Sequence, residues 1–276
     1  MSKSLRRGQV EEHRGRGPEA HRQGVGRHLQ LLSGEHLHHL HAIGKVSKLG
    51  RWVPHRLSDK NKADRVTVAT KLLDLYEKGE LKLDDILTSD EKWVLYANIV
   101  RHREWVDKGS PASATAKPGL HPRKVMLCVW WDSEGIVHWE LLGIGMTISA
   151  DVYCEQLDRV QEALKEKRPH REKVLILHDN ATPHTAKKTK EKLAELEWEV
   201  LPHPPYSPDL APTDFKLFRS LQNHLNDNEF KSEEEIRTFL EEFIESRSSG
   251  FFVRGFTDLV ERWKAVIECE GEYPPD

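Results

Sequence analysis

The chain has 276 residues, of which 37% are hydrophobic and 32% are charged, and its formal net charge is −3. These values predict a globular protein with one large core plus a smaller unit, and they exclude a fully disordered chain. No run approaches the roughly 20 apolar residues that cross a bilayer, and the N-terminus lacks a secretory signal, so we expect an intracellular protein without a membrane partner. The three cysteines lack zinc-site or disulfide spacing, and we interpret them as reduced packing residues: Cys128, Cys154 and Cys269.

Charge is distributed unevenly along the chain. Residues 1–60 carry 12 Lys and Arg against 5 Asp and Glu, whereas the other residues carry 30 of the 42 basic and 40 of the 45 acidic side chains. A basic arm ahead of an acidic body suits a protein that holds a polyanion, although a solvated tail has the same composition. The basic side chains that we consider weak candidates for DNA contact are Lys45, Lys48, Arg51 and Arg56.

The N-terminal segment 1–44 is predicted to be disordered. Residues 1–40 contain no Phe, Tyr or Trp and show no helical or strand period. The histidine run from His36 to His41 has no carboxylate or cysteine at ligand spacing, which favours a polar, flexible segment over a metal site.

Residues 45–80 form the second predicted unit, a basic linker and a helix. The linker reads KVSKLGRWVPHRLSDKNK. Ser58 is a suitable N-cap for the helix and Gly79 a suitable stop. The apolar positions expected to share one face of this helix are Ala69, Leu72, Leu73 and Tyr76.

The third predicted unit, 81–270, begins with extended segments. One spans Ile86 to Tyr96, and two more, KVMLCVWW and IVHWELL, flank a turn at 132–135, as in a β-hairpin. The Pro/Gly/Ser/Ala-rich stretch 107–122 between them is expected to protrude as a loop. Helices are predicted from Ser149, Thr185, Thr213 and Ser232, and VLILHD is typical of a buried strand. This order of strands and helices predicts a mixed α/β layer fold.

Three aspartates are candidate metal ligands, and for two of them the position also has a structural explanation. Asp179 ends the buried strand, where it could instead cap the next helix. Asp214 shares the apolar helical face of Phe218, Leu221 and Leu225, although a first-turn carboxylate also suits the helix dipole. Asp90 lies on the first extended segment, with Glu91 as a competitor. Three such carboxylates from two strands and a helix can hold two Mg²⁺ ions about 3.5–4 Å apart for in-line phosphoryl transfer.

Polar residues next to Asp179 are weaker candidates for contact with DNA. His178 could touch a phosphate, but a histidine that ends a strand is more often structural. Asn180 and His184 lie at the entry to the next helix, where capping competes with DNA contact.

Several segments of the chain resemble the mariner transposases of the Tc1/mariner group across roughly residues 40–270. GRWVPHRL, TSDEKW, LHDNATPHTA and PYSPDLAPTDFKLF occur in that family's order, and 34 residues separate Asp179 from Asp214, the interval that defines the mariner branch. The resemblance implies an RNase H-like catalytic domain in which Asp90, Asp179 and Asp214 bind two Mg²⁺ ions, with Mn²⁺ as a substitute. It also implies transposon-end and target DNA as partners, nuclear location, a homodimer paired through Trp52, Val53 and Pro54, and a clamp loop at 107–122.

The N-terminal part departs from the family pattern. Mariner transposases begin with two helix-turn-helix units, and residues 1–38 lack their apolar periodicity. Three hypotheses follow: a metal-dependent DNA strand-transfer enzyme or nuclease, a catalytically silent DNA-binding or dimerising remnant, and an RNase H-like nuclease that acts on RNA. The third is discounted, because the motifs beyond the three aspartates follow the transposase pattern. Since metal-free carboxylates repel one another, Asp179→Ala is expected to abolish cleavage and to raise thermal stability.

Overall fold

The structure, a computed structural model, describes residues 55–100, 107, 111, 114, 119, 121–143 and 145–275. The predicted disordered segment 1–44, the three linker residues 52–54 and most of the predicted loop 107–122 therefore lie outside the described residues. The described residues all fall within one compact unit. The predicted boundaries at 44/45 and 80/81 stay predictions.

A five-stranded mixed sheet forms the centre of this unit, in the order β3-β2-β1-β4-β5. Strand β1 pairs antiparallel with β2 and parallel with β4, so it is the central strand. The strands are β1 (Ile86–Leu95), β2 (Lys124–Asp132), β3 (Gly135–Leu142), β4 (Leu175–Leu177) and β5 (Glu199–Val200). The predicted hairpin and buried strand are confirmed, whereas β5 was not predicted because two exposed residues leave no period to detect.

Helices cover both faces of the sheet. Their bounds are α1 (Asp59–Glu77), α2 (Ala150–Lys167), α3 (Thr182–Thr185), α4 (Lys187–Glu195), α5 (Arg219–Leu225), α6 (Glu233–Glu245) and α7 (Ser249–Glu268). Short 3₁₀ helices occupy Leu83–Asp85 and Pro208–Leu210, and a π-helix occupies Thr213–Phe218.

The two faces of the sheet bury separate clusters, because successive side chains of a strand point to opposite faces. Ile86 of β1 packs into the cluster that α1 and α5–α7 share, whereas Leu87 packs into the cluster that α2 and α4 share. At the first cluster α7 approaches the sheet closely: a Cβ on Gly255 would lie 2.5 Å from Trp131 Cη2. Glycine is therefore required at this crossing.

Helix starts were predicted well. The Ser58, Ser149 and Ser232 side chains each accept a hydrogen bond from a backbone N–H in the first turn of α1, α2 and α6. Gly79, just beyond α1, has a φ of +74°, a left-handed conformation that suits the predicted stop.

Three details of the predicted helices were wrong. The buried face of α1 consists of Arg65, Ala69 and Leu72, while Tyr76 is 37% exposed. The helix expected from Thr185 is split into α3 and α4 by the extended backbone of Ala186. Helix α7 was missed, although its buried residues have helical spacing: Phe252, Phe256, Leu259 and Trp263.

The chain around Asp214 has a wider turn than the predicted α-helix. The Arg219 N–H donates to the Asp214 carbonyl, five residues earlier, which is the hydrogen-bond pattern of a π-helix. The spacing of an α-helix therefore does not apply between Asp214 and Phe218. The apolar face reaches α5 as predicted, since Leu221 and Leu225 are buried.

No helix in the described ranges combines the length and the apolar character needed to cross a membrane.

Candidate active site

Two aspartates from different elements meet on one face of the sheet. Asp90 lies on β1, opposite Val129 of β2, and Asp214 lies in the first turn of the π-helix. Their carboxyl groups are within hydrogen-bond reach of each other. This contact joins residues that are more than a hundred positions apart in the sequence, as the predicted site requires.

Thr213 fixes the start of the π-helix to the sheet. Its Oγ1 accepts a hydrogen bond from Trp131 Nε1 at 3.0 Å and lies 3.2 Å from Thr88 Oγ1. All three side chains are buried. Because Asp214 follows Thr213 directly, this anchor limits where its carboxylate can lie.

The pKa values of both aspartates are raised. Burial raises the pKa of Asp90 well above its ordinary value, and the neighbouring Asp214, Glu91 and Asp179 carboxylates raise it further. Burial also raises the pKa of Asp214 to about 6, although its hydrogen bond with Asp90 opposes the shift. Two carboxylates so close together cannot both ionise cheaply.

Asp179 has a different environment. It follows β4, its side chain is 54% exposed, and its Oδ1 accepts hydrogen bonds from the Ala181 N–H at 2.9 Å and from His184 Nδ1 at 2.7 Å. Burial alone would raise the pKa of Asp179, but these bonds lower it below its ordinary value. Asp179 is therefore a stable anion without a metal.

His184 bridges two carboxylates. Its Nδ1 contacts Asp179, and its Nε2 lies 3.2 Å from Glu91 Oε1. Burial would lower the pKa of His184, but the two carboxylates raise it to about 10. The imidazole is thus held as a cation, donating from both ring nitrogens. Glu91, the competitor of Asp90, extends to the opposite face of β1 and pairs with His184.

His178 has internal partners. Its Nδ1 lies 2.8 Å from the Tyr153 hydroxyl, and its ring stacks on His184 with centroids 4.9 Å apart. Burial, with the nearby His184, lowers the pKa of His178 to about 3, so the ring is neutral. A buried, neutral ring fits the structural interpretation of this residue, and its contact with DNA stays a prediction.

Asn180 and Arg56, two other predicted contact residues, are exposed. The Asn180 side-chain amide donates to the His203 carbonyl at 2.7 Å, which ties the end of β4 to the loop that leads to Asp214. Lys45, Lys48 and Arg51 lie outside the described residues. All of these DNA contacts stay predictions.

The structure brings Asp90 and Asp214 into contact and leaves Asp179 beside them, coupled by charge. Within the described ranges, no three His, Cys, Asp or Glu side chains are grouped closely enough to hold a metal ion. One carboxylate oxygen of Asp179 is instead engaged by His184. Two contributors to the site were not predicted from the sequence. Thr213 anchors the π-helix to the sheet, and Lys92 lies near Asp90 and Asp214. Burial lowers the pKa of Lys92. An anchor between distant elements leaves no periodic signal.

Comparison with known proteins identifies the family. Residues 95–174 match the family model described as "Transposase (partial DDE domain)", a span that contains none of the three aspartates. The mariner Mos1 transposase of Drosophila mauritiana is 41% identical over 238 residues, which cover 85% of this chain and 69% of that protein. This chain belongs to the Tc1/mariner transposase family.

A human relative of this mariner-family chain is longer. The histone-lysine N-methyltransferase SETMAR of Homo sapiens is 41% identical over 238 residues, which cover 85% of this chain. The chain spans about a third of that protein's length, 35%.

Solved structures of Mos1 transposase agree with the fold. A crystal structure of its paired-end complex with Mn is similar with a TM-score of 0.84 at 36% identity, covering 96% of this chain and 83% of that chain. The crystal structure of its catalytic domain alone gives a TM-score of 0.70 at 37% identity, covering 81% of this chain and 100% of that chain. The predicted RNase H-like fold, a mixed sheet flanked by helices, is thereby confirmed.

Proposed function

We propose that this mariner-family chain cleaves and joins DNA phosphodiesters by metal-dependent phosphoryl transfer at Asp90, Asp179 and Asp214. The observation that carries the proposal is the contact between the Asp90 and Asp214 carboxyl groups, both with raised pKa values. Buried carboxylates that repel one another are costly unless a cation joins them. Asp179 adds a third negative charge nearby, and this charge raises the pKa of both Asp90 and Asp214.

The donor set fits a hard divalent cation. Magnesium prefers carboxylate oxygens and keeps several waters, so an open group of three aspartates suits it better than a closed cage. Mos1 transposase has been solved with Mg and with Mn, which supports the same metals for this chain, and we propose two ions. When bound, they would supply the activation of an attacking oxygen and the stabilisation of a leaving oxygen.

The chain's own residues prepare the site in three ways. Thr213 holds the helix start that carries Asp214. His184 orients the Asp179 carboxylate and leaves its second oxygen, Oδ2, without this contact. Cleavage needs no protein nucleophile, because water or a DNA 3′-hydroxyl can attack the phosphodiester.

The proposed partners are transposon-end and target DNA. Mos1 structures include a paired-end complex with the left transposon end and a strand-transfer complex. On this basis we propose a homodimer that acts on DNA in the nucleus, with Trp52, Val53 and Pro54 and the loop at 107–122 as pairing segments. Light scattering at several concentrations with DNA present tests the pairing, and a strict monomer would refute it.

Incubation of the purified chain with labelled DNA, with Mg²⁺, Mn²⁺ or EDTA, tests the activity. We expect cleavage with either metal, none with EDTA, and none for Asp214→Asn with either metal. A wild-type chain that binds DNA but never cuts it would overturn the enzymatic proposal and leave the silent remnant.

A further inference from the structure

Arg65 of α1 is a charged side chain with no exposed surface. Its Nη1 and Nη2 donate to the two oxygens of Asp209 at 2.8 and 2.7 Å, a bidentate pair. Nη1 also donates to Ser207 Oγ at 2.8 Å, and Nε donates to the Gly271 carbonyl at 2.8 Å. We call Arg65, Ser207, Asp209 and Gly271 the Arg65 network.

The Arg65 network joins three segments that are distant in sequence: helix α1, the loop 202–212 and the turn after α7. The turn lies very close to α1, since a Cβ on Gly271 would lie 2.3 Å from the Lys62 carbonyl oxygen, and Gly271 has a φ of +84°. Tyr273 continues the contact by donating from its hydroxyl to the Tyr206 carbonyl at 2.6 Å. The loop 202–212 is therefore held both by α1 and by the residues that follow α7.

A buried guanidinium and carboxylate are a costly way to fasten a loop. Apolar residues of similar volume often stabilise a fold as well or better, because both ions must lose their water. What the pair adds is geometry, since a planar fork fixes the direction of the carboxylate it binds.

The fixed direction matters because the loop leads straight to Asp214. Asp209 and Thr213 stand at the two ends of a five-residue segment, 209–213, that immediately precedes Asp214. The Arg65 network holds its first residue, and hydrogen bonds from the sheet hold its last. The intervening Leu210 and Pro212 are buried, and Pro212 restricts the backbone. A shift at Asp209 would therefore pass to Asp214.

We propose that Arg65 is a positioning residue: through Asp209 it sets the place of the Asp214 carboxylate beside Asp90. This inference rests on the proposed function, since it assigns Arg65 a role in metal affinity. Arg65 acts from a distance and touches neither metal nor DNA. A purely structural Arg65 would change the stability of the fold and leave metal affinity unchanged.

Calorimetric titration of the DNA-free protein with Mn²⁺ separates the two roles. The informative variant is Arg65→Met/Asp209→Leu, which removes both charges and leaves no buried ion unpaired. We expect it to remain folded by circular dichroism while its Mn²⁺ affinity falls about tenfold or more, as for other partners that orient metal ligands. Arg65→Lys keeps the charge but loses the fork, and we expect a fall in the same direction.

Arg171→Met is the matched control. The Arg171 side chain is 5% exposed, pairs with the buried Asp132 at 2.9 Å and donates to the Asp84 carbonyl at 2.7 Å. It should lower the melting temperature and keep wild-type Mn²⁺ affinity. A fall below threefold in folded Arg65→Lys or in the folded double variant would overturn the inference. Failure of the proposed function is distinct: wild type would then bind no Mn²⁺, or Asp214→Asn would bind it equally well.

Discussion

The two halves of the candidate site differ in how their charges are satisfied. In one half, Asp90 and Asp214 face each other. Burial raises both pKa values, and the Asp214 charge raises that of Asp90 further. In the other half, Asp179 and Glu91 share the His184 cation, and the pKa of Asp179 is lowered. The first half costs free energy without a counter-ion, whereas the chain itself supplies a counter-ion to the second.

The two halves would therefore contribute differently to a cation site. The His184 half fixes one carboxylate in place at all times, which is preorganisation. The Asp90–Asp214 half keeps an unrelieved repulsion that a divalent cation would remove, so binding energy is available there. Four predictions test the contrast and a fifth lies outside it, in order from the largest expected effect to the smallest.

Asp214→Asn should lower DNA cleavage at least about a thousandfold, roughly 4 kcal/mol in activation free energy. The substitution removes one charge from the half that depends on the cation. The measurement is single-turnover cleavage of labelled DNA with Mn²⁺. Asp74→Asn is the control, because Asp74 is exposed and pairs with Lys78 at the end of α1. Equal cleavage by wild type and Asp214→Asn would refute the site.

His184→Ala should lower cleavage about 10- to 100-fold, the usual loss when a residue that orients a metal ligand is removed. Asp179 would keep its charge and lose its 2.7 Å contact. The same assay measures the effect, with a Mn²⁺ titration to show whether added metal restores activity. His170→Ala serves as a control, since His170 is exposed and pairs with Glu134. Unchanged activity would mean that Asp179 needs no orientation.

Metal-free stability should change in opposite directions in the two halves. Asp214→Asn should raise the melting temperature at pH 8 by roughly 2–4 °C, the shift for about 1 kcal/mol in a domain of this size. Asp179→Ala should lower it, because His184 loses a partner. The structure thus revises the expectation that Asp179→Ala stabilises the chain. Scanning calorimetry in EDTA measures both, and a rise for Asp179→Ala would contradict the contrast.

The stabilisation by Asp214→Asn should depend on pH. The folded-state pKa of Asp214 is raised to about 6, above its ordinary 3.8. The charge therefore destabilises the fold above pH 6, and this penalty is lost as the pH falls from 6 towards 4. The variant and wild type should melt at similar temperatures at pH 4.

Glu140, on β3, gives the smallest expected effect. Burial would raise the pKa of Glu140, but hydrogen bonds from His138, Arg159 and Gln156 lower it to about 2. Its contribution is thus present above pH 4.5 and is lost as the pH falls towards 2. Glu140→Gln should cost at most about 1 kcal/mol at pH 7 and less at pH 3, by urea unfolding, with cleavage unchanged. A larger cost at pH 3 would refute this.

Periodic features of the sequence predicted most of the fold. The hairpin, the central strand and the serine N-caps follow from alternation and from single capping residues, which are local signals. The missed elements are the ones that other parts of the chain impose. Strand β5 consists of two exposed residues, and the split between α3 and α4 depends on the backbone of Ala186 alone.

The candidate site stays a prediction. Motif order and residue type selected the three aspartates, and the structure places two of them, Asp90 and Asp214, next to each other. Sequence could not predict that Arg65 would hold Asp209, because this contact joins residues 144 positions apart. The contact of His184 with Asp179 depends on the turn between β4 and α3, which has no periodic pattern. Arg65 lies on the buried face of α1, and a charged residue at such a position indicates a buried partner of opposite charge.

The π-helix at Thr213–Phe218 makes the chain sensitive to its own length. A π-turn holds one residue more than an α-turn, so deleting one residue between Lys216 and Phe218 would let the segment become an ordinary α-helix with better hydrogen bonds. Each residue turns a helix by about 100°, so the deletion would rotate Asp214 about the helix axis relative to the apolar face of α5. Such a deletion would misdirect the Asp214 carboxylate. In this segment, the regularity that benefits the fold and the irregularity that benefits the site oppose each other.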